Sequence, residues 1–96
     1  MIISANFIPS TSITFHTVQD NYQLFYHYCN KIKQDIIIDL SNIEHCDSAG
    51  LAFLLEAKRI CFELNINCNI INIPKIIVDL AEFYGIKNLL YTTDNI

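Results

Sequence analysis

The alternation of apolar and polar residues in the first part of the chain predicts two short strands. Residues Ile2 to Ile8 alternate loosely, and the segment Ile13 to Val18 places Ile13 and Phe15 on one face. Between them, residues 9–11 read Pro-Ser-Thr, a composition typical of a turn. The pattern predicts an antiparallel hairpin.

A helical repeat comes next and leads to a buried strand. Apolar side chains recur at helical spacing from Tyr22 to Ile32, and Asp20 or Asn21 is placed to cap this helix. Residues 35–40 form a short β-branched run, which predicts a central strand buried on both faces. A loop over residues 42–47 then precedes the second helix.

The clearest amphipathic segment runs from Ser48 to Leu64 and predicts the second helix, with Asp47 or Ser48 as its cap. Phe53, Ile60 and Leu64 widen its apolar arc beyond what one face of a sheet covers. Two explanations stay open for this width: core packing at the end of the helix, and a partner that contacts one flank.

The last third of the chain predicts one more strand and one more helix. The strand covers residues 68–73, Pro74 suits the first turn of the helix, and Gly85 suits its end. Residues 86–90 pack after the helix. The predicted fold class is α/β, with the order ββαβαβα, a mixed four-stranded sheet and helices packed on it, in a single domain over residues 1–96.

Composition favours a protein that is partly covered by another. The 96 residues are 52% hydrophobic and only 17% charged, so some apolar surface is expected to meet a partner. The formal net charge is −4, and the six Lys and Arg residues are scattered. This arrangement argues against nucleic-acid binding and against direct membrane insertion or binding to anionic lipid.

The sequence predicts a cytoplasmic location. No apolar run is long enough to span a membrane, and the first residues lack the pattern of a signal peptide. The four cysteines form no CxxC pair and have no histidine at ligand spacing, so they are expected to be free thiols in a reducing compartment. They are Cys29, Cys46, Cys61 and Cys68.

Catalytic, cofactor and metal-binding patterns are not evident in the sequence. His16, His27 and His45 are dispersed, and two glycines cannot build a phosphate-binding loop. His45, three residues before Ser48, is a candidate general base, but a solvated loop histidine is the expected reading. We therefore predict no enzyme activity and no cofactor.

The segment IIIDLSNIEHCDSAGLAFLL, residues 36–55, resembles the signature of STAS domains. In that signature a buried strand ends in Asp, here Asp39, and Asp-Ser/Thr-x-Gly opens an amphipathic helix, here residues 47–50. The resemblance covers nearly the whole chain. It implies the STAS-like fold of anti-sigma factor antagonists and a function in binding another protein.

The chemistry of Ser48 leaves three roles open. At a helix amino terminus, the free N–H groups and the helix dipole favour a phosphate on this serine, while Asp39 and Asp47 nearby would oppose it. Alternatively Ser48 caps the helix, assisted by Asp47, with Gly50 allowing close packing or the approach of another backbone. The third role is the centre of a docking surface.

Two branches of the family compete. Residues 47–55 (DSAGLAFLL) and 78–86 (VDLAEFYGI) are similar to the MlaB-type subunit of the Mla phospholipid ABC transporter. This resemblance implies a bacterial subunit, peripheral to the inner membrane, that binds the cytoplasmic ATPase of a system maintaining outer-membrane lipid asymmetry. Ser48, where that branch carries Thr, keeps open an anti-sigma factor antagonist that binds an anti-sigma factor kinase and is phosphorylated at Ser48.

A free-standing binder of small ligands is a third possibility, although no pocket motif supports it. Residues 16–20 depart from the Gly-Glu-Leu/Ile-Asp turn of the family and keep only its Asp. The motif residues Asp39, Asp47 and Gly50 are expected to support the docking face. The residues expected on that face are Ser48, Ala49, Leu51, Ile76, Asp79 and Phe83.

Overall fold

Short strands and helices alternate along the computed structural model, which describes residues 5–32 and 34–91. Residues 2–4 of the predicted first strand lie outside the described residues. In chain order the elements are β1 (Ala5–Phe7), β2 (Ser12–Ile13), α1 (Val18–Ile32), β3 (Ile36–Asp39), β4 (His45–Cys46), α2 (Ser48–Glu63), β5 (Cys68–Ile71), α3 (Lys75–Phe83) and α4 (Lys87–Tyr91).

The main sheet has the order β1-β3-β5, and every pairing in it is parallel. The predicted central strand is confirmed, since Ile37 in β3 lies between Asn6 of β1 and Asn69 of β5. The side chains of β3 alternate in burial: Ile36 and Ile38 are buried, whereas Ile37 is half-buried. One face of this strand is therefore buried and the other only half-buried, so the predicted full burial of both faces is wrong although the central position is confirmed.

The predicted hairpin and the single mixed four-stranded sheet are wrong for the described residues. β2 pairs in parallel with β4, and the two strands form a second small sheet. The chain leaves β2 through a turn in which the Thr14 carbonyl accepts hydrogen bonds from the N–H groups of Thr17 (2.9 Å) and Val18 (2.8 Å). That turn starts α1 at Val18, four residues before the predicted Tyr22, so no long second strand forms.

Asp20 and Asn21, predicted as caps, lie inside α1 instead. Asn21 is only 2% exposed. Its Nδ2 donates to Ser10 Oγ (3.2 Å) and to the Thr17 carbonyl (3.2 Å). These bonds attach the first turn of the helix to the loop between β1 and β2, which satisfies a buried amide.

Helices α2 and α3 are each followed, just after their carboxyl-terminal end, by a residue with positive φ. Asn65 follows α2 with φ 59°, and Gly85 follows α3 with φ 72°, as the sequence predicts for Gly85. After Gly85, the Ile86 N–H donates to the Ala81 carbonyl at 2.9 Å. The reversal directs the chain into α4 and brings Ile86 beside α2.

Helix α2 is the centre of the structure and contacts α1, α3, α4, β2, β4 and β5. Phe25 of α1, Ile38 of β3, Leu54 of α2 and Ile77 of α3 each have no exposed surface, so the core joins all layers. Within the described part of the chain, no helix has the length and apolar character needed to cross a membrane.

Candidate docking site

The amino terminus of α2 is held by the side chain of Asp47. This residue has extended backbone angles, and its Oδ1 accepts the N–H of Gly50 at 3.1 Å. Its Oδ2 accepts the N–H of Phe15 at 2.9 Å, from the turn after β2. The hydrogen bond from Phe15 is the main reason that the pKa of the Asp47 carboxyl is lowered. One ionised carboxylate thus joins two segments that are 32 residues apart.

Gly50 allows the backbone of β2 to lie directly against α2. A Cβ atom at this position would lie 1.8 Å from the Ile13 carbonyl oxygen and 2.9 Å from Cys46 Sγ. No side chain fits in that space. Gly50 therefore serves packing within the chain, one of the two roles that the sequence leaves open.

Ser48 is the first residue of α2 and is exposed. Of the two capping residues that the sequence leaves open, Asp47 supplies the capping oxygen and Ser48 does not. The Ser48 hydroxyl makes no hydrogen bond to another described residue of the chain. It is therefore available for an external contact or for modification.

Two shallow grooves flank the start of α2. The first groove, called here the α2–α4 groove, lies between α2 and the turn that joins α3 to α4 and has a volume of about 390 Å³. It is lined by Ser48, Leu51, Ala52, Leu55, Tyr84 and Ile86. The α1–α2 groove, about 320 Å³, is lined by Val18, Gln19, Tyr22, Ala49, Ala52, Phe53 and Glu56. A ridge of small residues, Ser48, Ala49 and Ala52, separates the grooves, so another backbone can approach closely.

Leu51 requires a correction to the predicted docking face. Its side chain is only 2% exposed, because it points into the core of the domain. It forms the floor of the α2–α4 groove and cannot project towards a partner. A charge at Leu51 would be buried, so this position cannot separate binding from folding.

The α3 residues of the predicted docking face are exposed, but they lie beside the grooves. Phe83 is 81% exposed, and its ring packs edge-to-face on that of Tyr84 at 5.2 Å. Ile76 and Asp79 lie farther back on α3, with Asp79 Oδ2 bonded to Lys75 Nζ at 2.7 Å. Along the axis of α3, Ile76 lies about 10 Å from Phe83. Phe83 thus adjoins the α2–α4 groove through Tyr84, whereas Ile76 and Asp79 form an adjoining face.

Asp39 belongs to a different hydrogen-bonding cluster. Its Oδ1 accepts from Asn72 Nδ2 and from the Ser41 N–H, each at 3.0 Å. The Asn72 bond is the main cause of the lowered pKa of the Asp39 carboxyl. This carboxylate joins the ends of β3 and β5, while Asp47, Ser48 and Gly50 form the corner at α2.

Several contact residues are missing from the sequence prediction. Phe15 is 74% exposed and follows directly from the turn that Asp47 holds. Tyr84, 51% exposed, forms one wall of the α2–α4 groove. The sequence signal for Tyr84 is its helical spacing with Ile77, Leu80 and Ala81, which marks one apolar face of the last helix. Phe15, by contrast, reads as a strand residue and has no distinguishing signal.

The surroundings of His45 and of the four cysteines bear on the catalytic and metal-binding roles that the sequence raises. His45 lies in β4, opposite Ser12, and is exposed. All four cysteines occur as free thiols. Burial, followed by the charge of Asp47, raises the pKa of the Cys46 thiol to about 11. Within residues 5–32 and 34–91, no group of three or more His, Cys, Asp or Glu side chains is placed to hold a metal ion.

Comparison with known proteins finds one matching family model and one similar curated protein. The family model of the STAS domain matches residues 7–96. The intermembrane phospholipid transport system binding protein MlaB of Haemophilus influenzae is 36% identical to this chain over 50 residues. That alignment covers 52% of this chain and 48% of the relative, so it spans about half the length of the curated relative. No solved structure matches the chain.

Proposed function

Since this chain belongs to the STAS domain family, we propose that it is a non-catalytic subunit that binds the ATPase of an Mla-type phospholipid ABC transporter. In this proposal it lies in the cytoplasm, attached to the inner membrane through that ATPase. Its role is to support a transporter that maintains the lipid asymmetry of the outer membrane. The observation that carries the proposal is the likeness to a relative whose name states phospholipid transport.

The docking face in this proposal is the ridge at the start of α2 with the groove beside it. Ser48 and Ala49 lie on the ridge, and Leu51 forms the floor of the α2–α4 groove. Phe83 extends the apolar surface, and Ile76 and Asp79 flank it on α3. Covering one large exposed side chain such as Phe83 contributes about 2 kcal/mol before the cost of association.

Two exposed aromatic rings next to residues of this surface support its choice. Phe15, whose N–H is bonded to Asp47, is 74% exposed, and Phe83, whose ring packs on Tyr84, is 81% exposed. Aromatic side chains are enriched at the centres of protein interfaces, where they supply large contact area. A partner seated over Ser48 can cover both.

The proposed mechanism is a shift of the ATPase between conformations. A subunit that binds one state of the ATPase more tightly than another moves the equilibrium towards that state. The corner around Asp47 is suited to this, because hydrogen bonds and the Gly50 contact hold the ridge in one geometry. The favoured state is the dimer-competent, active form of the ATPase.

The test is a binding assay between the purified chain and the phospholipid-transport ATPase of the same organism. Ser48→Glu places a charge at the centre of the ridge and is expected to abolish binding and any stimulation of ATP hydrolysis. Ser48→Ala is the matched control, since it keeps the ridge small and uncharged, and it should bind like the wild type. Wild-type protein that does not bind the ATPase contradicts the proposal.

The second candidate function is an anti-sigma factor antagonist regulated at Ser48. The observation that favours it is an exposed hydroxyl at a helix amino terminus, where a phosphate is stabilised. In this function a kinase-type anti-sigma factor transfers the γ-phosphoryl group of ATP to Ser48 Oγ and releases ADP. Recovery of such a kinase with the wild type, together with phosphate on Ser48 by mass spectrometry, would favour this candidate.

A further inference from the structure

We propose that the buried thiols of Cys61 and Cys68 form a reversible disulfide when the folded protein meets hydrogen peroxide. The pair lies near the carboxyl-terminal end of α2, whereas the docking face begins with Ser48 at the other end. This inference therefore goes beyond the proposed function and does not depend on a partner protein.

Three cysteines from three elements meet in the core. Cys29 lies on α1, Cys61 in the last turn of α2, and Cys68 at the start of β5. Cys29 and Cys61 have no exposed surface, and Cys68 is 1% exposed. The Cys61 thiol is within hydrogen-bonding reach of the sulfur atoms of both Cys29 and Cys68, so it can donate to either. A central thiol with two neighbours of its own kind is placed to form a disulfide.

The backbone brings Cys61 and Cys68 together through a tight reversal after α2. Asn65 takes a positive φ of 59°, and the Ile66 N–H then donates to the Cys61 carbonyl at 2.8 Å. Cys68 follows two residues later. A disulfide requires Cα atoms within about 7 Å of each other. Because a hydrogen-bonded turn fixes the path between the two residues, their sulfur atoms can bond without a large movement of the chain.

Lys58 supplies a positive charge beside these thiols. It lies three residues before Cys61, on the same face of α2, and is only 4% exposed. Burial lowers the pKa of Lys58 itself, and the charges of Cys68 and Cys61 counter this effect. The hydrogen bond from Cys61 is the main cause of the lowered pKa of the Cys68 thiol, and the charge of Lys58 lowers it further. Since the thiolate is the nucleophilic form of cysteine, Cys68 is the sulfur that attacks the peroxide.

The reaction takes two steps and consumes one molecule of peroxide. In the first step, the Cys68 sulfur attacks one oxygen of hydrogen peroxide, the O–O bond breaks, and a sulfenic acid and one water form once the thiol proton is counted. In the second step, the Cys61 sulfur attacks the sulfenic sulfur, the S–O bond breaks, and the hydroxyl group leaves as a second water with the Cys61 proton. Two electrons pass from the two thiols to the peroxide. A dithiol reductant returns the pair to free thiols by exchange.

The same geometry explains why oxidation stops at the disulfide. A sulfenic acid in the core would be a buried polar group, and Cys61 removes it by condensation before a second peroxide arrives. Hydrogen peroxide is close to water in size, so local opening of the core is sufficient to admit it. Cys46 is the contrast: it is more exposed, but burial and the charge of Asp47 raise the pKa of its thiol to about 11. The buried pair should therefore oxidise before Cys46.

The experiment treats the reduced, purified chain with excess hydrogen peroxide, blocks the remaining thiols by alkylation and digests the protein without reductant. Mass spectrometry of the peptides then identifies which sulfur atoms are joined. We expect one disulfide within the chain, between Cys61 and Cys68, with Cys29 and Cys46 alkylated. Dithiothreitol should restore all four free thiols, and the circular dichroism spectrum should remain helical throughout.

Three variants test the assignment. Cys68→Ala removes the attacking sulfur and should form no disulfide, whereas Cys29→Ala, truncated at an equally buried site, should oxidise like the wild type. Lys58→Met removes the charge and keeps a long side chain, and it should slow the reaction by about fivefold or more. Thermal melting before oxidation checks that each variant is folded. If an alanine variant does not fold, the peptide map of the wild type tests the pairing by itself.

Native protein that keeps its four thiols, under conditions that oxidise the chain in urea, would overturn the inference. A disulfide that includes Cys29 or Cys46, or that joins two chains, would also overturn it, as would oxidation accompanied by loss of the helical signal. A Lys58→Met protein that reacts as fast as the wild type would overturn the activating role of Lys58.

Discussion

Gly50 packs directly against the backbone of Ile13: a Cβ atom built on Gly50 would lie 1.8 Å from the Ile13 carbonyl oxygen. This contact joins β2 to α2 and sets the distance between the small sheet and the helix that carries Ser48. The corner therefore depends on a residue with no side chain and on the carboxylate of Asp47 next to it. Both residues therefore support the geometry of this corner through contacts within the chain.

Gly50→Ala is expected to lower the free energy of unfolding by about 3 kcal/mol or more, because backbone atoms of Ile13 cannot give way without moving β2. Urea denaturation monitored by circular dichroism measures the change. Gly85→Ala is the control, because a Cβ atom at Gly85 would meet no other atom within contact distance. Its free energy of unfolding should fall by only about 1 kcal/mol, the cost of the positive φ of 72° for alanine. Equal losses for the two variants would contradict the close contact at Gly50.

Asp47→Ala is expected to lower the free energy of unfolding by about 1 kcal/mol or more, because the N–H groups of Gly50 and Phe15 both lose their acceptor. Ser48→Ala should change it by less than about 0.5 kcal/mol, since the Ser48 side chain does not cap the helix. Thermal unfolding of the two variants distinguishes these roles. A larger loss for Ser48→Ala would restore Ser48 as the cap.

The stability contributed by the charge of Asp47 is expected to depend on pH. The folded state lowers the pKa of this carboxyl below its unfolded value of about 3.9. The contribution is therefore fully present above about pH 4 and is lost as the pH falls through the folded pKa. Urea denaturation from pH 7 to pH 3 should show the difference between wild type and Asp47→Asn shrinking below about pH 4. A difference that grows on acidification would contradict this sign.

Leu51 and Phe83 are expected to respond in opposite ways to truncation. Leu51→Ala should cost about 2–5 kcal/mol of stability, because the side chain is buried in the core. Phe83→Ala should leave stability within about 0.5 kcal/mol of the wild type and weaken binding to the ATPase, because its ring is exposed. Denaturation and binding assays on both variants measure the two effects. A Leu51→Ala protein as stable as the wild type would contradict the burial of this side chain in the core.

Cys46 is expected to react slowly with thiol reagents although its side chain is only partly buried. A pKa of about 11 lowers the thiolate fraction at pH 8 roughly two hundredfold relative to an ordinary cysteine. Asp47 contributes to this pKa, so Asp47→Asn should increase the reaction rate of Cys46. Variants with the other cysteines replaced by serine or alanine isolate the signal, and the same reagent in urea gives the unfolded rate. Equal rates in the native and unfolded protein would contradict the burial of this thiol.

The sequence by itself determined the elements that rest on local signals. The helix from Ser48 follows from its apolar periodicity and from the capping carboxylate of Asp47, and the end of α3 follows from Gly85. The β-branched run at residues 36–39 identified the central strand. The motif around these elements was sufficient to identify the family, because the end of the strand, the capping Asp47 and Gly50 stand at characteristic spacing in the sequence.

The tertiary structure alone decided the pairing of the strands and which side chains are exposed on the proposed docking surface. β2 and β4 have only two residues each, too few for a period of two, so their parallel pairing depends on contacts with α2. Leu51 and Ser48 are both near the start of one helix, yet only packing against the sheet and α3 determines that Leu51 is buried and Ser48 exposed. Phe15 and Tyr84 become neighbours of Ser48 through a turn and a helix end that close from distant parts of the chain. Exposure depends on what packs against a residue, and that partner is not encoded in the residue's own neighbours in sequence.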